Sequence, residues 1–277
     1  MKFIVILTCV AINRYWVGSH PLHTEEWFQK LKEKLWVHRL ADVSLPYGQF
    51  VLVVVLPVVF VAITLWAVKG LFLGSLWMVL GFLVLGYAIG ISNLEAVVRN
   101  HTLWLRKLTS EDNLQQARSH HQQVLQQMVH DEFSSVYPIL FWFLVGGPAA
   151  ALLYRLTQQY AQSGTDSDSE SVLVTSLIRA LDWIPVRITG LAFCAVGNFA
   201  QCMGRFAEAL VEYKQPARTV LVEMSEVAII DIEMEMIDAA HFAKRAEYQM
   251  KEIGDLLHRT LLFWIALIAM VTLLGWN

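Results

Sequence analysis

Gly48 to Val68 reads GQFVLVVVLPVVFVAITLWAV, 21 residues without a charge. A helix rises about 1.5 Å per residue, so the run is long enough for the ~30 Å hydrocarbon core of a bilayer. Lys69 and Gly70 follow, and then Leu71 to Ile91, a second uncharged run of equal length. Two such runs with so short a joint predict an antiparallel hairpin of membrane helices, the first kinked at Pro57. Working outward, Phe3 to Ile12 is apolar but short. Asn13, Arg14, Tyr15 and Trp16 follow it, with no small-residue cleavage site, so it reads as a retained, short or tilted first span. Pro138 to Tyr154 is a fourth apolar run with Gly146, Gly147 and Pro148 at its centre, and is either broken or re-entrant. Trp183 to Gly204 and Thr260 to Trp276 are the fifth and sixth. The fold class expected is all-α: a polytopic helical membrane protein of five or six segments with long helical cytoplasmic loops, one integral domain over residues 1–277.

Composition agrees. Hydrophobic residues make up 56% of the chain and charged ones 16%, against about 25% charged in soluble domains. Mean hydropathy is +0.47. A net charge of −3 gives no footprint for nucleic acid. Trp66, Trp142, Trp183, Trp264 and Trp276 lie near the ends of apolar runs, as interfacial anchors do. Cys9, Cys194 and Cys202 show no spacing motif and read as small buried apolar residues, not a disulfide framework. Segments 13–47, 92–137 and 204–259 hold 16 of the Lys and Arg residues, and the remaining polar ends and joints hold 4. Alternation of six spans therefore places the three long segments in the cytoplasm. If 138–154 does not cross, the split falls to 11 against 9.

Leu94, Val97, Val98, Leu103, Leu105, Leu108 and Leu114 recur at spacings near three and four, so the 92–137 stretch is amphipathic helix. Ser163 to Glu170, SGTDSDSE, reads as a loop. Charges inside a bilayer are costly and usually functional. Arg187 lies one turn into the fifth run. Asp182 stands at its mouth, and Asp-x-x-Pro-x-Arg through Pro185 reads as an N-cap with an early helix proline. Tyr154 and Arg155 close the fourth run. Together Asp182, Arg187, Arg155 and Tyr154 form a candidate pocket for an anion, because arginine forks bind carboxylate and phosphate in bidentate fashion. The plainer reading has Asp182 capping its helix and pairing with an arginine. Pro185, Gly146, Gly147 and Pro148 are structural. Asp238 and His241 share a helix face amid Glu223, Glu226, Asp231, Glu233 and Glu235, but a di-iron bundle needs two such pairs. His120, His121 and His130 suit a polar helix surface better than a pH sensor. No catalytic motif, metal site or cofactor site is expected.

Three stretches carry a family resemblance. They are Pro138 to Arg155 (PILFWFLVGGPAAALLYR), Leu181 to Leu191 (LDWIPVRITGL), and the ending from Leu257 to Trp276. With Trp104 to Ala117 they resemble the AmpE branch of the AmpE/CobD/CbiB membrane family. The resemblance implies a multi-pass inner-membrane protein of Gram-negative bacteria that modulates β-lactamase induction, linked to muropeptide recycling. Its partners would be the bilayer, a small anionic ligand such as a muropeptide, and a protein of β-lactamase regulation. The alternative is the enzymatic branch, an ATP-dependent amide synthase of cobalamin biosynthesis. That branch carries a Glu- and Asn-bearing run where this chain has His130 to Tyr137, and an Asn-Thr-x-Asp run where it has Leu156 to Tyr160. Its synthase equipment is therefore largely missing, and the resemblance favours a regulator over an enzyme.

Overall fold

The computed structural model describes residues 2–15, 28, 30, 47–71, 74–90, 94–108, 114–164, 168–211, 215–229 and 238–275. Every regular element among them is a helix. The first is α1 (Lys2–Tyr15). Gly48–Phe50, a π-helical stretch Val51–Val55 and Leu56–Leu71 then run on as one helix, α2. Next come α3 (Gly74–Ala88), α4 (Leu94–Leu105), α5 (Leu114–Gln162) and α6 (Asp168–Val196). The series closes with α7 (Phe199–Val211), α8 (Ala217–Ala228) and α9 (Ala239–Leu273).

Three described helices are long and apolar enough to cross a membrane: Gly48–Val68, and stretches within α5 and α9. In α5, which is 49 residues long, the apolar part is the 138–154 run. Leu56, Val59, Phe60, Ile63 and Trp66 are all exposed along α2, with Phe60 at 70% and Trp66 at 79%. Their spacing of three and four makes one apolar stripe, which water would penalise and lipid does not. This chain is a membrane protein. Among the described residues, the apolar helices at Lys2–Ile12 and Leu76–Ala88 are shorter.

The chain divides into two compact units. The first holds Met1–Ile91, Pro138–Asp182 and Ile268–Asn277. Its core joins Phe28, Phe50, Val53 and Val54 to Leu152, Leu156, Tyr160 and Val174. Pro57 follows a change in the helix type of α2. It has no N–H for the carbonyl four residues back, and the ladder widens into the π-helical stretch just before it. α1 packs on α3, where Gly86 faces the Cys9 thiol. The Gly-Gly-Pro segment is a break in α5: Gly147 takes φ 75° and ψ −167°, a region open to glycine and strained for other residues. Gly81 of α3 lies close to the Pro148 ring.

The second unit holds Ser92–Tyr137 and Trp183–Leu267. Leu105, Ala117, Phe242 and Ala246 form one of its cores. Three expectations change here. The fifth run is not one helix over Trp183–Gly204. It stops at Val196, turns at Gly197 and Asn198, and restarts at Phe199. The Gly197 backbone lies so close to the Ala228 carbonyl that no side chain fits, and the Asn198 N–H donates to that same oxygen at 2.7 Å. Cys194 and Cys202 come together across this turn as a disulfide pair, with Cα atoms 5.1 Å apart; eight residues of sequence hid the turn that joins them. Finally, Trp264 is 1% exposed and stacks on Tyr137 at 5.8 Å, buried inside the unit instead of presented on its surface.

Candidate functional site

The polar site of the first unit lies where the end of α5 runs beside the start of α6. Burial of Leu152, Leu156 and Tyr160 among α2 side chains orients α5. Its last turns then carry Tyr154, Thr157, Gln158, Gln159 and Tyr160, all buried. Buried polar groups must be paired, and these are. Tyr154 Oη donates to Asp182 Oδ1 at 2.8 Å, and Tyr160 Oη to Glu170 Oε2 at 3.0 Å. Tyr87 Oη of α3 donates to Gln159 Oε1 at 2.9 Å, and Arg155 Nη1 to Gln158 Oε1 at 3.2 Å. The two tyrosine–carboxylate rungs connect α5 and α6 in antiparallel order, 154 to 182 and 160 to 170.

Asp182 is not an N-cap. It sits well inside α6, which begins at Asp168. The end of the expected 163–170 loop is already helix, and Asp168 and Glu170 in its first turn suit the positive end of the helix dipole. Asp182 instead receives the Tyr154 hydroxyl. Arg155, next to Tyr154 in sequence, is half-buried. Arg187 lies five residues after Asp182, about 140° further round the helix, and is engaged elsewhere. Its Nη1 donates to the Trp183 carbonyl at 3.1 Å and its Nη2 to the Ala209 carbonyl at 3.3 Å. Its guanidinium lies 4.5 Å over the Trp183 ring. Ala209 belongs to the last turn of α7, whose carbonyls lack helical partners, so Arg187 caps that helix. Of the four candidate ligand residues, Tyr154 and Asp182 are bonded to each other, Arg155 is the flanking cation, and Arg187 serves a helix end.

Sequence reasoning missed Tyr87, Gln158, Gln159, Tyr160 and Glu170. The signal that could have found Gln158, Gln159 and Tyr160 is Thr157-Gln-Gln-Tyr160, four polar residues shortly after an apolar run.

A second cluster lies in the other unit. His101 of α4 and His121 of α5 are 5% and 2% exposed. His101 Nε2 and His121 Nδ1 are 2.8 Å apart, and His121 Nε2 lies 3.1 Å from Gln249 Oε1 of α9. The Gln249 oxygen can only accept, so His121 carries its proton on Nε2 and His101 donates to the bare Nδ1. The His101 ring also stacks on Trp104 at 5.2 Å. Both histidines stand outside the apolar 138–154 run. Burial, reinforced by His121 and His120, lowers the His101 pKa from 6.5 to about 4. Burial lowers His121 too, against a raising contribution from Gln249. No group of three or more metal ligands is assembled among the described residues. Asp238 caps α9, accepting from the His241 N–H at 2.7 Å and lying 2.9 Å from its Nδ1. Those bonds from His241 hold its carboxyl below the usual range. The 230–237 stretch, with Asp231, Glu233 and Glu235, lies outside the described residues.

With this geometry in hand, a family model described as regulatory signalling modulator protein AmpE matches residues 1–275. The chain belongs to the AmpE family. A search of curated proteins and one of solved structures each find no match. The family description fits a regulatory role, and the AmpE stretches quoted above carry the site: Pro138 to Arg155 ends in Tyr154 and Arg155, and Leu181 to Leu191 contains Asp182, Pro185 and Arg187.

Proposed function

We propose that this AmpE-family protein is a sensor in the inner membrane of a Gram-negative bacterium. It modulates β-lactamase induction in step with muropeptide recycling by binding a small anionic ligand or a regulatory protein. The observation that carries the site is the buried Tyr154–Asp182 hydrogen bond next to the half-buried Arg155. In this reading the bonded pair fixes the end of α5 against α6, and Arg155 supplies the positive charge, as arginine does for carboxylate or phosphate. Gln158 holds the guanidinium until an anion displaces it. The long polar segments face the cytoplasm, which the distribution of 16 Lys and Arg residues against 4 supports.

The test is β-lactamase induction by a β-lactam in cells carrying variants at unchanged membrane abundance. Arg155→Ala abolishes the effect on induction and Arg155→Lys retains part of it, because a point charge remains where the fork is lost. Normal induction with Arg155→Ala removes the site. ATP turnover by the purified protein with a carboxylate and an amino alcohol would overturn the regulatory reading in favour of an amide synthase.

A further inference from the structure

We infer that α7 is an in-plane membrane helix whose exposed apolar face lies in the lipid interface. At 100° per residue, Phe199 to Leu210 of α7 fall into three sectors instead of the usual two. Cys202, Phe206 and Ala209 form the first and are buried. Phe206 packs over Gly190 of α6, and α8 lies alongside, bonded through Arg205 and Glu223. Gln201, Arg205 and Glu208 form the second, which is polar; Arg205 bridges Glu208 at 2.6 Å. Phe199, Ala200, Met203, Gly204, Ala207 and Leu210 form the third. All six are exposed, with Phe199 at 57% and Leu210 at 47%, and no polar residue interrupts them.

Scattered exposed apolar residues need no explanation, but an unbroken sector about 140° wide does. The occupant follows from three features. The chain is a membrane protein. The helix that leads directly into α7 carries its own apolar line, Ile184, Ile188, Leu191 and Ala195, all exposed or half-exposed and within about 60° of one another. Thirteen residues rise about 20 Å, too little to cross a ~30 Å core, so a lipid-bound α7 lies along the surface. The break at Gly197 and Asn198 is what turns the chain. The polar sector beside the apolar one then faces water, as an interfacial helix requires.

The experiment uses the full-length protein in phospholipid vesicles, carrying a nitroxide on one introduced thiol at a time. Met203→Cys and Leu210→Cys probe the apolar sector and Glu208→Cys the polar one. The unsubstituted protein corrects for label on its own cysteines, and retained folding is checked by the thermal transition of each variant. At 203 and 210, collisions with oxygen should exceed those with a water-soluble nickel chelate several-fold, and at 208 the order should reverse. Nickel access at 203 and 210 equal to that at 208 would overturn the inference. Protection of 203 and 210 from both reagents would also overturn it, and would assign the face to protein, either a second copy or a partner.

Discussion

Two prolines show how single residues hold this fold together. A proline inside a helix leaves the carbonyl four residues earlier without its N–H. Pro148 does this to Leu144, and the Lys2 ammonium donates to the Leu144 oxygen at 3.1 Å. Pro185 does it to Leu181, and the Trp142 indole N–H donates there at 3.2 Å. Trp142, which its position suggested as an interfacial anchor, thus repairs a helix ladder 39 residues away. Sequence showed both prolines and both donors but could not pair them, because the pairings depend on which helices become neighbours. Trp142→Phe should lower stability by about 1–3 kcal/mol, the cost of an unmet, partly buried carbonyl plus lost ring volume. In a Pro185→Ala background the helix N–H is restored, and the same substitution should cost distinctly less. Unfolding curves of the four proteins in detergent measure this. Equal costs in both backgrounds would mean that only ring packing matters. At the α5 break, Gly147→Ala should cost about 1–3 kcal/mol, since its φ of 75° excludes a side chain at low energy; the same unfolding assay reads it.

Among elements, the α4–α5–α9 contact has a strength that depends on pH. Its histidine pair is a one-proton device. The folded arrangement needs a bare Nδ1 on His121, and a proton added there meets the Nε2–H of His101 unless that ring changes tautomer. His101 has a folded pKa of about 4 against 6.5 for the free side chain. The folded state therefore binds fewer protons than the unfolded one throughout that window. The stability contribution is complete above about 6.5 and is lost as pH falls toward about 4. His120 and His121 are the charges that act on His101, and both oppose its protonation. The thermal transition should drop steadily across this range, and His101→Gln, which keeps a donor toward His121, should make the slope shallower. An unchanged slope would locate the acid sensitivity elsewhere. The periodicity of Leu94 to Leu114 showed the α4 helix, yet His121 looked like a surface residue and nothing singled out His101. Gln249 and Phe242 of α9, more than 100 residues away, pack against His121, and no local pattern carries that information.

For the whole molecule, the apolar runs showed through in sequence because the bilayer imposes a length that local composition must meet. The helix breaks did not, since they answer to tertiary demands. Gly197 is required by a close Ala228 carbonyl, and the early start of α6 follows from an acidic first turn. Asp182 reads as a cap in the sequence for the same reason: α6 begins about four turns before the apolar run does. α6 has length enough to span, but Arg179, Asp182 and Arg187 keep it out of the set of strongly apolar helices. The number of crossings therefore turns on 138–154 and on α6. If both cross, Ser119 and Lys244 share one side and Ser171 faces the other. All three side chains are exposed, so each accepts a thiol probe with little disturbance. Ser119→Cys and Lys244→Cys should resist a membrane-impermeant maleimide in intact cells and react after lysis, while Ser171→Cys should react at once. Labelling of Ser171→Cys only after lysis, alongside Ser119→Cys, would make the Gly-Gly-Pro segment re-entrant. The charge split would then fall to 11 against 9, and the positive-inside argument for cytoplasmic loops would lose its force.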